Sequence, residues 1–128
     1  RQLMSVTEIT GKKSITNYKT LKVFNIKDIP KISFLECRLE TGRTHQIRVH
    51  MAYKSNSLLG DQQYGKKNLR FKKINEDFED KLKILNRQAL HAKSLGFIHP
   101  TSKKLINFES KLPKDFKKIL DLLNKLSH

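Results

Sequence analysis

Thr41-Gly42-Arg43-Thr44-His45-Gln46-Ile47-Arg48-Val49-His50 is the stretch on which the reading of this chain turns. It follows an alternating run, Ile32-Ser33-Phe34-Leu35-Glu36-Cys37-Arg38-Leu39. It leads through an apolar segment to Leu58-Leu59-Gly60-Asp61 and Gln62-Gln63-Tyr64-Gly65. Alternation reads as a strand, Thr41-Gly42 as a turn, and residues 43–54 as a helix. A helix start leaves backbone N–H groups unpaired and carries partial positive charge. Arg43, His45, Arg48 and His50 add to that field, so the segment suits a phosphate or a carboxylate.

At about 3.6 residues per turn, Thr44, Arg48 and Met51 share one side of this helix, and Ile47 lies nearer the side that faces the core. Arg48 then reaches out from a partly buried helix and needs an anionic partner, because an unpaired buried charge is costly. No carboxylate stands close to it in the sequence. The expected partner is a distant residue, a segment outside these residues or a ligand. On spacing alone, an ordinary capped helix with a solvated arginine accounts for the same residues. His45 and His50 are roughly 140° apart on a helix and cannot share a ligand face. With Cys37 the only cysteine and no dense carboxylate cluster, no metal site is expected. His91 and His99 read as packing and turn residues, and Cys37 as a buried apolar side chain.

Outward from the motif, residues 3–8 read as a strand, Gly11-Lys12-Lys13 as a turn and residues 14–26 as a long half-buried strand carrying Ile15, Tyr18, Leu21, Val23 and Phe24. Asp28-Ile29-Pro30 breaks it before the strand at 31–40, which predicts an antiparallel pair. Residues 55–73 read as loop and 77–86 as a short helix. Residues 90–98 and 104–109 read as a hairpin turning at Thr101-Ser102. Pro113 is expected at the first helical position, before a stripe of Phe116, Ile119, Leu120, Leu123 and Leu126. Strands and helices at intervals, mostly with short connections, predict an α+β domain: a mixed, mostly antiparallel sheet flanked by helices.

The charge is lopsided: 27 Lys+Arg against 12 Asp+Glu among 128 residues, a formal +15. Such a surplus draws polyanions, nucleic acid above all; a lysine-rich composition drawn from an AT-rich genome is the plainer source. A lone cysteine permits no internal disulfide and suits a reducing compartment. No apolar run reaches about 18 residues, so no membrane span or signal peptide is expected. The chain opens at Arg1 directly on a strand pattern, as if residue 1 were not the start of the folding unit. Ser-His-Asp, P-loop and glycine-rich dinucleotide patterns are absent.

In order and spacing, Thr41 to His50 resembles the third motif of the RluA-type RNA pseudouridine synthases at every position. Met4-Ser5-Val6, Gly11-Lys12 and Thr16-Asn17-Tyr18 resemble that family's stretch before the central sheet. Leu59-Gly60-Asp61 with Tyr64-Gly65, Arg87 to Ala92 with His99-Pro100, and Leu112-Pro113 with Asp115-Phe116 resemble its later segments. The resemblance implies an isomerase acting on uridines of ribosomal or transfer RNA, without metal or organic cofactor, cytoplasmic and monomeric when complete. It implies that Arg48 pairs with the catalytic aspartate, that Leu59 lines the uracil pocket, and that Arg43, and more loosely His45, help build that pocket or hold a phosphate. Lys66, Lys67, Lys72 and Lys73, with Lys103 and Lys104, would follow the RNA backbone.

The family's His-Arg-Leu-Asp motif and its tyrosine-bearing second motif are absent, and Asn56-Ser57 stands where His-Pro is usual. Residues 1–128 are therefore expected to be the C-terminal portion of one catalytic domain. The N-terminal portion, with the aspartate, would be a required partner, and this chain would be inactive alone. The alternative is a non-catalytic basic RNA-binding fragment or remnant.

Overall fold

Alternation over the first forty residues produces three strands. The computed structural model describes residues 2–9, 11–27, 31–65 and 76–127. Strand β1 (Gln2–Ile9) pairs antiparallel with β2 (Lys12–Phe24), which pairs antiparallel with β3 (Ile32–Leu39). The β2–β3 register runs from Thr16↔Leu39 to Thr20↔Leu35, then shifts by a bulge before Lys22↔Phe34. The break expected at Asp28-Ile29-Pro30 lies outside the described residues.

The buried side of β2 differs from the expected one. Ser14, Thr16, Tyr18 and Phe24 are buried, whereas Leu21 and Val23 are exposed. The period of two places residues 14, 16 and 18 on one face, and that face receives a helix whose own inward side is polar.

That helix is α1 (Gln46–Tyr53), shorter than the expected 43–54. His45, at its N-cap, sits in the left-handed region at φ 52°, which ends helical geometry there. Gln46, His50 and Met51 are its buried residues, while Ile47 is only half-buried. The inward face of α1 is thus the Gln46–His50 side and not the Ile47 side.

Helices α2 (Glu76–Leu85) and α3 (Lys114–Leu126) supply the apolar core. Phe78 and Leu85 from α2 meet Ile119, Leu122 and Leu123 from α3 and Phe24 from the end of β2. Leu122 belongs to the buried stripe beside the predicted Phe116, Ile119 and Leu123. Acidic residues Glu76, Asp77 and Glu79 open α2, and Asp115 opens α3, where a helix N-terminus favours negative charge. Pro113 is the N-cap of α3, not its first helical residue, because its ψ of 148° is extended.

Strands β4 (Ser94–Ile98) and β5 (Leu105–Glu109) form a separate antiparallel hairpin. His91 Nε2 donates to the Ser110 carbonyl at 3.0 Å at its base, and His99 Nδ1 accepts the Thr101 and Ser102 N–H groups in its turn. Both histidines therefore serve the local roles expected of them. Leu95 pairs with Phe108 and Phe97 with Ile106, and Phe97 and Phe108 stack at 6.0 Å between centroids. Leu95 and Phe108 nevertheless remain 62% and 57% exposed. The architecture is α+β, with two sheets whose pairings are all antiparallel among the described residues.

Candidate active site

The loop after α1 is built around one carboxylate. Asp61 is buried, with its side chain fully removed from solvent. Its Oδ1 accepts the N–H groups of Gln63 at 3.1 Å and Tyr64 at 2.9 Å, while its own carbonyl accepts the Gly65 N–H at 3.0 Å. The glycines on either side are required by close approach. A Cβ at Gly60, where φ is +75°, would sit 2.3 Å from the Arg87 carbonyl oxygen. A Cβ at Gly65 would sit 2.1 Å from the Asp61 carbonyl oxygen. Gly65→Ala is expected to push that carbonyl away and cost roughly 2 kcal/mol or more. A lowered urea midpoint at unchanged slope measures this; an unchanged midpoint would mean the loop is looser than drawn.

Arg48 meets this carboxylate with two parallel bonds. Nη2 donates to Oδ1 at 2.8 Å and Nε donates to Oδ2 at 3.0 Å. The guanidinium lies 4.9 Å from the centre of the Tyr64 ring, a cation–π contact. Nη1 has no hydrogen-bond partner among the described residues. The expectation that no carboxylate near in sequence reaches Arg48 is thus corrected. Asp61 lies only thirteen residues on, and the loop turning at Gly60 carries it back across the helix.

The pairing acts on both groups. The Arg48 hydrogen bonds hold the Asp61 carboxyl down to about 2 against the opposing effect of burial, and the Tyr64 and Gln63 N–H groups add to the lowering. The same pairing raises the Arg48 guanidinium above its usual value. A charged, fixed, mostly buried arginine with one edge free can orient a second anion.

Tyr64 also ties in His45. Its hydroxyl lies 3.1 Å from His45 Nδ1, and the two rings meet edge to face at 5.8 Å. Arg48, Asp61, Tyr64 and His45 therefore form one cluster. Arg43 is outside it: its Nη2 reaches the Lys13 carbonyl at 3.4 Å, and its backbone N–H is capped by Gln46 Oε1 at 3.0 Å. Leu59 packs against the apolar core, and its carbonyl accepts the Ala89 N–H at 2.7 Å. Lys66, Lys67, Lys72 and Lys73 lie outside the described residues; Lys103 and Lys104 are exposed. Burial, then the charge of Glu36, pushes the half-buried Cys37 thiol up, which makes it a poor nucleophile.

Sequence reasoning missed Asp61 as the partner of Arg48 and Tyr64 as the platform beneath it. The usable signal was Asp61 following Gly60, with Tyr64-Gly65 three residues later. Among the described residues, no group of three or more histidine, cysteine or acidic side chains could hold a metal ion. No described helix is long and apolar enough to cross a membrane.

A family model described as RNA pseudouridylate synthase matches residues 1–53. The chain is 44% identical over 124 residues to the ribosomal large subunit pseudouridine synthase D of Zymomonas mobilis, covering 96% of this chain and 36% of that protein. It is 42% identical over 123 residues to the protein of the same name from Haemophilus influenzae, covering 96% of this chain and 36% of the relative. It is also 42% identical over 125 residues to an uncharacterized RNA pseudouridine synthase of Bacillus subtilis, covering 98% and 35%. The chain thus spans little more than a third of the length of these relatives.

Proposed function

We propose that this chain, similar over 96% of its length to RNA pseudouridine synthases and matched by that family's model over residues 1–53, is the C-terminal portion of a catalytic domain of that family, one that isomerises uridine in large-subunit ribosomal RNA. The reaction breaks the bond from C1′ of the ribose to N1 of uracil and makes one from C1′ to C5. A proton leaves C5, and N1 ends protonated. The target nucleotide must leave its stack to be reached.

One observation carries this reading: Arg48, within the ten-residue motif, is fixed through Nε and Nη2 while Nη1 is free among the described residues. In our reading that free edge meets the catalytic aspartate, which comes from an upstream portion of the polypeptide. The guanidinium keeps that aspartate ionised and aimed at the flipped nucleotide. His45, held by Tyr64, and Leu59, at the rim of the core, contribute to the wall of the uracil pocket, and Arg43 contacts a phosphate. The upstream portion also covers the apolar side of the β4–β5 hairpin, since two strands alone are marginally stable in water. The completed enzyme is a cytoplasmic monomer.

Two measurements test this. The 128 residues alone are expected to leave uridine unchanged in ribosomal RNA transcripts, and adding the upstream polypeptide is expected to restore conversion. Restoration that never appears, with both parts folded and binding RNA, would leave a non-catalytic RNA-binding fragment. For the lysines at 66, 67, 72 and 73, each phosphate contact removed by substitution should flatten the slope of log affinity against log salt by about 0.7 on single-stranded RNA. An affinity indifferent to salt would remove the basic RNA-binding surface from the account.

A further inference from the structure

Helix α1 turns a polar side to the sheet, so hydrophobic packing alone does not set its rotation. Gln46 and His50 are both buried and lie about 40° apart around the helix axis. The orientation of the Gln46 amide is fixed by groups that cannot change role. Its Oε1 faces the Arg43 N–H at 3.0 Å, and its Nε2 faces the Ile15 carbonyl at 2.9 Å. A flipped amide would place donor against donor and acceptor against acceptor. Nε2 therefore donates to Thr16 Oγ1 at 2.9 Å, and Oε1 accepts the Thr41 hydroxyl at 2.7 Å. Thr41 Oγ1 in turn accepts the Ile15 N–H at 2.9 Å.

Thr16 is fully buried and already receives a proton from Gln46. Its own hydroxyl hydrogen then goes to His50 Nδ1, 2.8 Å away. Donation runs one way, from Ile15 through Thr41, Gln46 and Thr16 to His50. The neutral His50 ring must carry its proton on Nε2, and that is the one buried side-chain nitrogen or oxygen left without a partner among the described residues. The opposite tautomer would leave the buried Thr16 hydrogen with no acceptor, at a cost comparable to a lost hydrogen bond. Burial also pushes the ring toward its neutral form.

We propose that His50 is a positioning residue: as the end point of this one-way chain, it sets the rotation of α1 and thereby aims Arg48 at Asp61. This role rests on the one proposed for Arg48 and extends it. Residues 48 and 50 are roughly 200° apart on the helix, so holding His50 against β2 presents Arg48 on the opposite side. A slip of one residue would turn the helix by about 100° and carry Arg48 away from Asp61.

The test is nuclear magnetic resonance on the 128-residue chain. The imidazole nitrogens of His50 should show one tautomer, with Nδ1 unprotonated. The Arg48 Nε–H, bonded to Asp61, should exchange slowly with solvent. Thr16→Val should release the tautomer and speed Arg48 Nε–H exchange at least tenfold. His50→Leu should do the same to Arg48, whereas His50→Asn, whose side-chain oxygen can accept from Thr16, should restore slow exchange. An Nδ1–H tautomer in the unmodified chain overturns the proposal. So does a folded His50→Leu whose Arg48 Nε–H stays as protected as before. If His50→Leu does not fold, the tautomer and Thr16→Val still decide. Neither readout involves RNA or turnover, so failure of the uridine reading would leave both results unchanged.

Discussion

Arg48→Ala, in the enzyme completed by its upstream portion, is expected to lower uridine isomerisation by about a thousandfold or more while leaving RNA affinity within a few-fold. The split follows from geometry. Arg48 is mostly buried between the Asp61 carboxylate and the Tyr64 ring, a poor place from which to grip a phosphate backbone. Its free edge suits a single carboxylate close by. Arg48→Lys should fail nearly as badly, because an ammonium cannot hold Asp61 with two parallel bonds and also serve a second anion. Single-turnover kinetics beside a binding titration measure both quantities. If affinity collapses while bound RNA still turns over, Arg48 is a phosphate contact, and the catalytic assignment is wrong.

Asp61→Asn is expected to lower turnover by about a hundredfold with little change in KM, through misplacement of Arg48. Asparagine can still accept from the Gln63 and Tyr64 N–H groups on its oxygen. Its NH2 group would then face the Arg48 Nε–H, donor against donor, and the guanidinium must turn. The same substitution carries a pH signature. With the Asp61 carboxyl held at about 2 against an ordinary 3.8, its ionised form favours the folded state. That contribution, up to about 2 kcal/mol, is fully present above 3.8 and is lost as the pH falls toward 2. The stability gap between the unmodified protein and the Asp61→Asn variant should be constant from roughly pH 5 to 8 and close between about pH 4 and 2. Denaturant melts across that range test it; a gap that persists unchanged at about pH 2 would place the effect elsewhere than in the charge of Asp61.

Much of the fold is legible in the sequence because it follows from periodicity. The strands β1, β2, β3 and β5 and the stripe of α3 lie close to where alternation and helical spacing put them, whereas β4 begins only at Ser94, four residues after the expected start at 90. What misleads is the assumption that apolar residues mark the inward side. On β2 the buried face carries Ser14 and Thr16, and on α1 it carries Gln46 and His50, because these four belong to or flank a hydrogen-bond network and not an oil-like contact. Leu21 and Val23 are left outward by the same phase. For the candidate site, Arg48 stands out in its motif as a cation in need of a partner, and Leu-Gly-Asp with Tyr-Gly is visible as a turn. That the turn delivers Asp61 to Arg48 depends on a non-local fold-back. The close packing of Gly60 against the Arg87 backbone, which enforces it, has no signature in a single sequence.

The measurement that bears most directly on the account is conversion of uridine to pseudouridine in large-subunit ribosomal RNA, by the 128 residues alone and with the upstream polypeptide added. We expect no conversion by the chain alone, and conversion in the mixture that Arg48→Ala abolishes. Isomerisation by the 128 residues alone would contradict the account, place the nucleophile within this chain, and make Asp61 the first residue to replace.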